Sequence, residues 1–379
     1  MISVVGVGET EYLRRSGRSI QELGIRAARN ALLDEGIEAQ SVDGVIPLGG
    51  SLFTEDLIAG LGLRTDVADA SPAPGGNAAA SSLGLAEALI GSGRASAVLI
   101  VFSRNGSSEH RIADRIRALP GQQFRLNLEQ PHGWNTPAAW YAMICRRHMA
   151  EHGTSKAQLG AVALTMRRHS RENPRAMLRE RPLTMEDYLA GPMIADPYQR
   201  DDCCLETDGA TAVLVIARER EGMAERPAIR VLAVASARPQ SADDLTNRTD
   251  WYRIGLSSAA PAAYEVAGAG PEDMDAAMIY DCFTFEVIHQ LEEAGFCARG
   301  GGGEFVASGA VGLGGKLPVN THGGLLAEGH LGGLNHVVEA TRQLRGEAGS
   351  RQVEAARLVA VSGWGDWGDG SLAILGSAQ

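Results

Sequence analysis

Leu317-Pro-Val-Asn-Thr-His-Gly-Gly-Leu-Leu-Ala-Glu-Gly-His-Leu-Gly-Gly-Leu334 is the stretch on which the reading of the chain turns. Two histidines, His322 and His330, stand eight residues apart, each beside glycines that allow backbone and ligand to approach closely. Asn320 opens the segment, and Gly332-Gly333 lead into Leu334–Leu344, whose apolar spacing is that of a helix. A strand end, a tight glycine turn and a helix are a suitable mounting for an imidazole that works as general acid or base. The plain alternative is a glycine-rich turn with two surface histidines.

Outward from this segment, the chain alternates strands and helices. Ile2–Val7 reads as a strand, Ser19–Glu35 as a helix capped by Ser19, and Val42–Leu48 as a second strand. Ala78–Ser92 reads as a helix of small residues buried against close neighbours, followed by the apolar strand Ala95–Ser103. A similar order returns after Pro227: helix 259–267, strand 277–280, helix 283–294, helix 335–345 and strand 357–362. Two halves of similar order, residues 1–225 and 226–379, suggest an internal duplication and a layered α/β fold with sheets covered on both sides.

The first half carries an insertion, about residues 104–193, of a different texture. Arg111, Arg115, Arg117, Arg125, Arg146, Arg147, Arg167, Arg168, Arg171, Arg175, Arg179 and Arg181 concentrate there among Trp134, Trp140 and Tyr141. We read it as a helical subdomain with a basic face, suited to a phosphate-bearing ligand in an otherwise acidic chain. His148 and His152, one helical turn apart, lack the His-Glu-x-x-His pattern of a zinc peptidase and read as helix surface; no metal site is expected.

A formal net charge of −11 over 379 residues argues against a nucleic-acid binder. No apolar run reaches the roughly 18 residues needed to span a bilayer. The chain enters its first strand with no charged leader, so the expected location is the cytoplasm. The five cysteines include no C-x-x-C pair and fit a reducing compartment better than a zinc ribbon or disulfide framework.

Asn320-Thr-His-Gly-Gly-Leu-Leu-Ala-Glu-Gly-His330, Tyr280-Asp-Cys-Phe-Thr284, Asp201-Asp-Cys-Cys-Leu-Glu-Thr-Asp-Gly-Ala210 and Ser362-Gly-Trp-Gly365 together resemble the thiolase superfamily, closest to its sterol-carrier-protein-2 thiolase-like branch. The resemblance covers nearly the full length. It implies a five-layered αβαβα fold from two duplicated halves, with a helical loop domain inserted in the first. It also implies a homodimer or tetramer and acyl-CoA thioester substrates, with coenzyme A as part of the substrate and no other cofactor.

Thiolases carry a nucleophilic cysteine at the tip of the buried helix, where the helix dipole favours the thiolate. Counting back from Ile90-Gly-Ser-Gly-Arg-Ala-Ser96, that place falls at about Gly76, and the segment has no thiol. The family's second cysteine, expected near Val361-Ser362-Gly363, is missing as well. Tyr280 stands where the family's asparagine partners the histidine, which survives as His330. His322 stands where thiolases often have asparagine. A phenol and an imidazole facing a thioester suit proton transfer, and hence retro-aldol cleavage of a β-hydroxyacyl-CoA. Thiolase-like aldolases of steroid side-chain degradation, which this pattern is similar to, carry tyrosine at the position of Tyr280. They pair with a small zinc-ribbon/OB-fold partner. At their second position they have tyrosine where this chain has His330.

The resemblance thus gives His330, Tyr280 and His322 as pocket groups. Gly363, Gly365 and Gly76 are the backbone donors to a thioester oxygen, and Asn320, Gly323 and Gly324 are substrate contacts. Two other readings stay open: a thiolase or acyltransferase with Cys282 as a relocated nucleophile, and a non-catalytic acyl-CoA or lipid-binding subunit.

Overall fold

Strand β1 (Ile2–Glu9) is buried along its whole length, because α1 (Ile20–Glu35) covers one of its faces and the molecular centre the other. The Ser19 hydroxyl accepts from Glu22 N–H and caps α1, as its sequence predicts. The computed structural model describes residues 1–49, 52–72, 75–108, 125–134, 136–240, 248–365 and 368–377. Continuing in order come β2 (Gly44–Leu48), α2 (Thr54–Leu61), β3 (Ala68–Asp69), α3 (Ala78–Gly91) and β4 (Ala97–Asn105). Next are α4 (Pro137–His152), α5 (Lys156–Arg171), α6 (Met185–Leu189) and a small hairpin of β5 (Met193–Ala195) and β6 (Tyr198–Gln199). The main sheet resumes with β7 (Asp208–Ala217) and β8 (Ile229–Ala237). The remainder is α7 (Leu256–Ala267), β9 (Ala276–Ile279), α8 (Thr284–Glu293), α9 (Gly302–Ala307), α10 (Gly324–Ala327), α11 (Leu334–Arg345), β10 (Leu358–Trp364) and β11 (Gly370–Ser377).

Strand order makes the duplication explicit. The first half runs β3-β2-β4-β7-β1 and the second, read from its own outer edge, β9-β10-β11-β8. In each half a parallel pair (β2–β4, β9–β10) is followed by two antiparallel pairs, and β3 adds a second parallel pair at the outer edge of the first half. The halves join through β1 and β8, antiparallel over Ile2↔Val231, Ser3↔Arg230 and Val4↔Ile229. Helices α3 and α11 each touch strands of both halves and form the middle layer. Helix α1 lies on the outer face of the first half and α7 on that of the second, which completes the αβαβα arrangement. The abundance of alanine in α3 follows: a helix covered on both sides at close range leaves little room for longer side chains.

Of the arginines read as a basic face on the inserted region, one is corrected and most of the described ones are exposed. Arg111, Arg115 and Arg117 lie outside the described residues, as does the side chain of Arg125. Of the others, Arg167 is buried and donates to Asp201 at 3.0 Å and to the Arg181 carbonyl at 2.7 Å, while Arg175 reaches Glu9 of β1 at 3.1 Å. Arg175 thus ties the insertion to the sheet, while Arg146, Arg147, Arg168, Arg171, Arg179 and Arg181 stay exposed on its surface. His148 is a correction too: it is fully buried, with Nδ1 2.8 Å from Thr154 Oγ1 and Nε2 3.0 Å from Glu292 Oε2. Among the described residues no helix is long and apolar enough to cross a membrane.

Candidate active site

The carboxyl ends of β4 and β9, the tip of α3 and the glycine turn before α11 converge on one point. Tyr280 is the first residue after β9. Its N–H donates to Ser362 O of β10 at 3.3 Å, and its carbonyl accepts from Gln290 Nε2 at 2.7 Å. Gln290 in turn accepts from the Ser362 hydroxyl at 2.9 Å, so the residue before Gly363 and the Tyr280 backbone are clamped by one amide. The Tyr280 ring lies against bare backbone: a Cβ at Gly76 would meet its Cε1 at 2.4 Å, and one at Gly333 its Cδ2 at 3.0 Å. Only glycine leaves room for the ring at these two places.

His330 is brought up by the turn between α10 and α11. Its N–H donates to Thr207 Oγ1 at 2.9 Å, just before β7. Its Nε2 lies 3.0 Å from Tyr280 Oη, with the two rings edge to face, and its Nδ1 lies 2.6 Å from a terminal nitrogen of Arg104 near the end of β4. Tyr280 and His330 are each 7% exposed and Arg104 is 3% exposed, so water screens these contacts little. Tyr280 and His330 thus come together as their sequence context predicts. Arg104 and Thr207 were missed. The signal for Arg104 was the polar run Ser103-Arg104-Asn105 at the carboxyl end of an apolar strand, where α/β sheets place ligand-facing groups.

His322 goes elsewhere, which corrects its assignment to the same pocket. It is 1% exposed, with Nε2 3.0 Å from His336 Nδ1 and 3.6 Å from Glu328 Oε2. His336 lies 3.4 Å from Asp281, whose carboxylate accepts the N–H groups of Leu325 and Leu326 at 2.8 and 3.3 Å. Burial, with His336 and Arg351 adding to it, holds His322 well below the usual imidazole range. Burial and nearby Glu9 lift the Glu328 carboxyl well above its usual range; burial raises Asp281 as well. This is a dry polar network beneath the turn, held by Asn173 and Asn335, which donate to Glu328 at 2.7 and 2.6 Å.

Asn320, Gly323 and Gly324 are corrected from substrate contacts to scaffold. Asn320 is fully buried in the left-handed region at φ 50°, which asparagine tolerates. Its amide clasps both backbone groups of Ile279 at 2.7 Å and so fixes the end of β9. Gly323 (φ 104°) and Gly324 (φ 63°) turn the chain hard against Ser170 and Asp281, where a Cβ would lie 2.8 and 2.0 Å from their atoms.

Of the backbone donors, Gly365 is corrected: its N–H is taken by Asp369 O at 2.7 Å. Gly363 sits within β10 opposite Ser371, and a Cβ there would lie 2.5 Å from the Gly76 carbonyl, so these two glycines meet beside Tyr280 at the tip of α3. Cys282 is corrected as a nucleophile. Burial, contact with the Cys204 thiol and the Glu286 carboxylate all drive its pKa up, which keeps it a thiol.

The family model described as thiolase C-terminal domain-like matches residues 237–377. The chain is 33% identical to a steroid side-chain-cleaving aldolase of Thermomonospora curvata, over 96% of this chain and 95% of that one. It is 34% identical to a 17-hydroxy-3-oxo-4-pregnene-20-carboxyl-CoA lyase of Mycobacterium tuberculosis, over 96% of each. Among solved structures, an Ltp2-ChsH2(DUF35) aldolase superposes with a TM-score of 0.93 at 32% identity, covering 99% of this chain and 97% of that one.

Proposed function

The chain belongs to the sterol-carrier-protein-2 thiolase-like branch of the thiolase superfamily, and from that premise we propose that it is an acyl-CoA carbon–carbon lyase working by retro-aldol chemistry. One observation carries the reading: Tyr280 Oη and His330 Nε2 stand 3.0 Å apart at the tip of α3, and the phenol ring fills the space that a side chain at Gly76 would need. The site offers proton transfer where a thiolase offers a thiolate.

In this mechanism Tyr280, as phenolate, takes the β-hydroxyl proton of a β-hydroxyacyl-CoA. The bond between the α- and β-carbons breaks, leaving a carbonyl product and a thioester enolate. Tyr280 then returns the proton to the α-carbon. The backbone N–H at Gly76 stabilises the enolate oxygen, helped by the positive end of α3. The proton moves between two atoms of one substrate, so the step calls on no resident cofactor.

The coenzyme A end of the ester fits a cleft of about 510 Å³ on the inserted region, lined by Trp134, Met143, Arg146, Arg147, Asp196 and Trp251. The Arg147 guanidinium lies 4.9 Å over the Trp251 ring, a pairing of aromatic surface and cation suited to a nucleotide. Helix α4 bears this cleft on one side. On the other, Tyr141 packs on Trp364 with ring centres 4.9 Å apart, next to Gly363. The names of the relatives make CoA esters of steroid side chains the first substrates to try, and the two-component aldolase structure supports a small DUF35 partner; we read that partner as a zinc-ribbon/OB-fold protein and the chain as a cytoplasmic homodimer.

The test is turnover of a 17-hydroxy steroid 20-carboxyl-CoA, followed by mass spectrometry of the ketone and the shortened ester, with and without a DUF35 partner. Cleavage that disappears in Tyr280→Phe supports the reading. Acyl transfer that is blocked by iodoacetamide overturns it. Binding of the ester with no cleavage, partner present, identifies a non-catalytic subunit.

A further inference from the structure

We propose that Arg104 is a positioning residue that holds His330 in the neutral tautomer protonated at Nε2, so that the imidazole is a donor to Tyr280 and never a base. The catalytic consequence rests on the lyase reading; the assignment of the tautomer does not.

A guanidinium has N–H donors and no acceptor, and it keeps its proton in proteins. Its nitrogen 2.6 Å from His330 Nδ1 therefore requires a lone pair on Nδ1. A proton there would set two N–H groups and two positive charges against each other in a dry site. A neutral imidazole has one proton left to place, and it falls on Nε2, 3.0 Å from Tyr280 Oη. The phenol oxygen accepts, and the phenol's own hydrogen is directed away from His330.

The rest of the turn keeps the ring from escaping this arrangement. The His330 N–H is tied to Thr207, and Gly332 and Gly333 fix the following backbone at φ 64° and 84°. Across the ring, the Tyr280 edge is itself confined between Gly76 and Gly333. Rotamer changes that would exchange the two imidazole nitrogens have to break the contact to Arg104.

The consequence concerns where the reacting proton can go. When Tyr280 takes the β-hydroxyl proton, an O–H bond to substrate breaks and one to Tyr280 forms. His330 cannot receive that proton, because Nε2 already carries one and Nδ1 is closed by the guanidinium. It stays on Oη until the carbon–carbon bond has broken, and then forms the new C–H bond at the α-carbon. Without Arg104 the imidazole is free to flip its tautomer, offer Nε2 as an acceptor and draw the phenol's hydrogen away from the substrate.

The experiment is side-chain nitrogen NMR on the full chain labelled with ¹⁵N-histidine, with the His330 signals identified by their loss in His330→Gln. Near neutral pH the wild type is expected to show a protonated Nε2 and a bare Nδ1. Arg104→Met is expected to show a mixture of tautomers and, on a substrate that the wild type cleaves, a fall in kcat of about 10²-fold with the Kd of the ester unchanged. Arg104→Lys keeps a donor, and so keeps the tautomer and recovers part of the rate. A proton on Nδ1 in the wild type, or an unmoved tautomer in folded Arg104→Met, overturns the proposal. If Arg104→Met does not fold, the wild-type spectrum and Arg104→Lys decide it. Failure of every ester to react would count against the lyase reading and leave the NMR result standing.

Discussion

A Cβ added to Gly76 would lie 2.4 Å from Cε1 and 2.6 Å from Cζ of Tyr280, so at the tip of α3 a phenol occupies the space of a thiol. Gly76→Cys should therefore fail to install a thiolase nucleophile. It should instead overpack the site, costing about 1–3 kcal/mol of stability together with lyase activity. Combining it with Tyr280→Ala should relieve only part of the overpacking, because the Trp364 carbonyl would still lie 2.2 Å from the new Cβ. Denaturant melts of the two single variants and the double close the cycle, and additivity between these touching positions would contradict the geometry.

Tyr280→Phe and His330→Ala should separate chemistry from stability. The first keeps the ring between Gly76 and Gly333 and loses only the oxygen; it should cost about 1 kcal/mol for the buried hydrogen bond to His330 while kcat falls about 10²–10⁴-fold. The second also strips the acceptor from the buried Arg104 guanidinium, which costs about 1–3 kcal/mol or more because the group is charged. Equal loss of stability in both variants would refute this division.

The element order of the two halves, the glycine turn and the pairing of Tyr280 with His330 follow from local patterns and spaced motifs. Arg104 lies 226 residues from His330, and no local periodicity joins them. His322 and His330 look alike in sequence, yet the hard turn at Gly323-Gly324 and the short α10 between them send one into the core and the other to the site. Arg167 and Arg175 read as part of a basic field because their acidic partners, Asp201 and Glu9, lie outside the segment in which the arginines cluster.

The neutral His169 beneath the turn gives a pH test of stability. Its Nδ1 lies 3.2 Å from Asn320 O and must donate, while Nε2 accepts from Leu313 N–H at 3.1 Å. Both nitrogens are thus committed in the uncharged form, and burial pushes the pKa down to about 4. An unfolded histidine titrates near pH 6.5, so between about 6.5 and 4 the unfolded chain binds one more proton than the folded one at this site. Stability must fall as pH drops through that window, by about 1.4 kcal/mol per pH unit from this residue. His169→Gln should flatten the slope of the unfolding free energy against pH by that amount relative to wild type. An unchanged slope would mean that His169 is charged in the folded protein.

Cys282 should prove dispensable. Its backbone N–H is held by Glu286 Oε2 at 3.1 Å, its carbonyl accepts from Cys204 N–H at 2.9 Å, and its thiol sits with the Cys204 thiol and the Glu286 carboxylate. With the thiolate suppressed, iodoacetamide should label it slowly and leave turnover intact, and Cys282→Ala should keep wild-type kcat. Rapid inactivation traced to Cys282 and blocked by an acyl-CoA would restore the nucleophile reading.

The cleft on α4 gives the last prediction, because it separates holding the ester from cleaving it. Trp251 and Arg147 stack at one wall, and Arg146 is steadied by Asp196 at 2.9 Å. None of these residues is among the contacts of Tyr280 or His330, so what they contribute is the same in the ground state and the transition state. Trp251→Ala and Arg147→Ala should each raise KM about tenfold, about 1.4 kcal/mol of lost binding, and leave kcat near its wild-type value. A truncated pantetheine ester, which has no nucleotide to place in the cleft, should show no difference between these variants and the wild type. If the variants slow the truncated ester as much as the full one, the cleft supports the fold of α4 and does not hold the nucleotide.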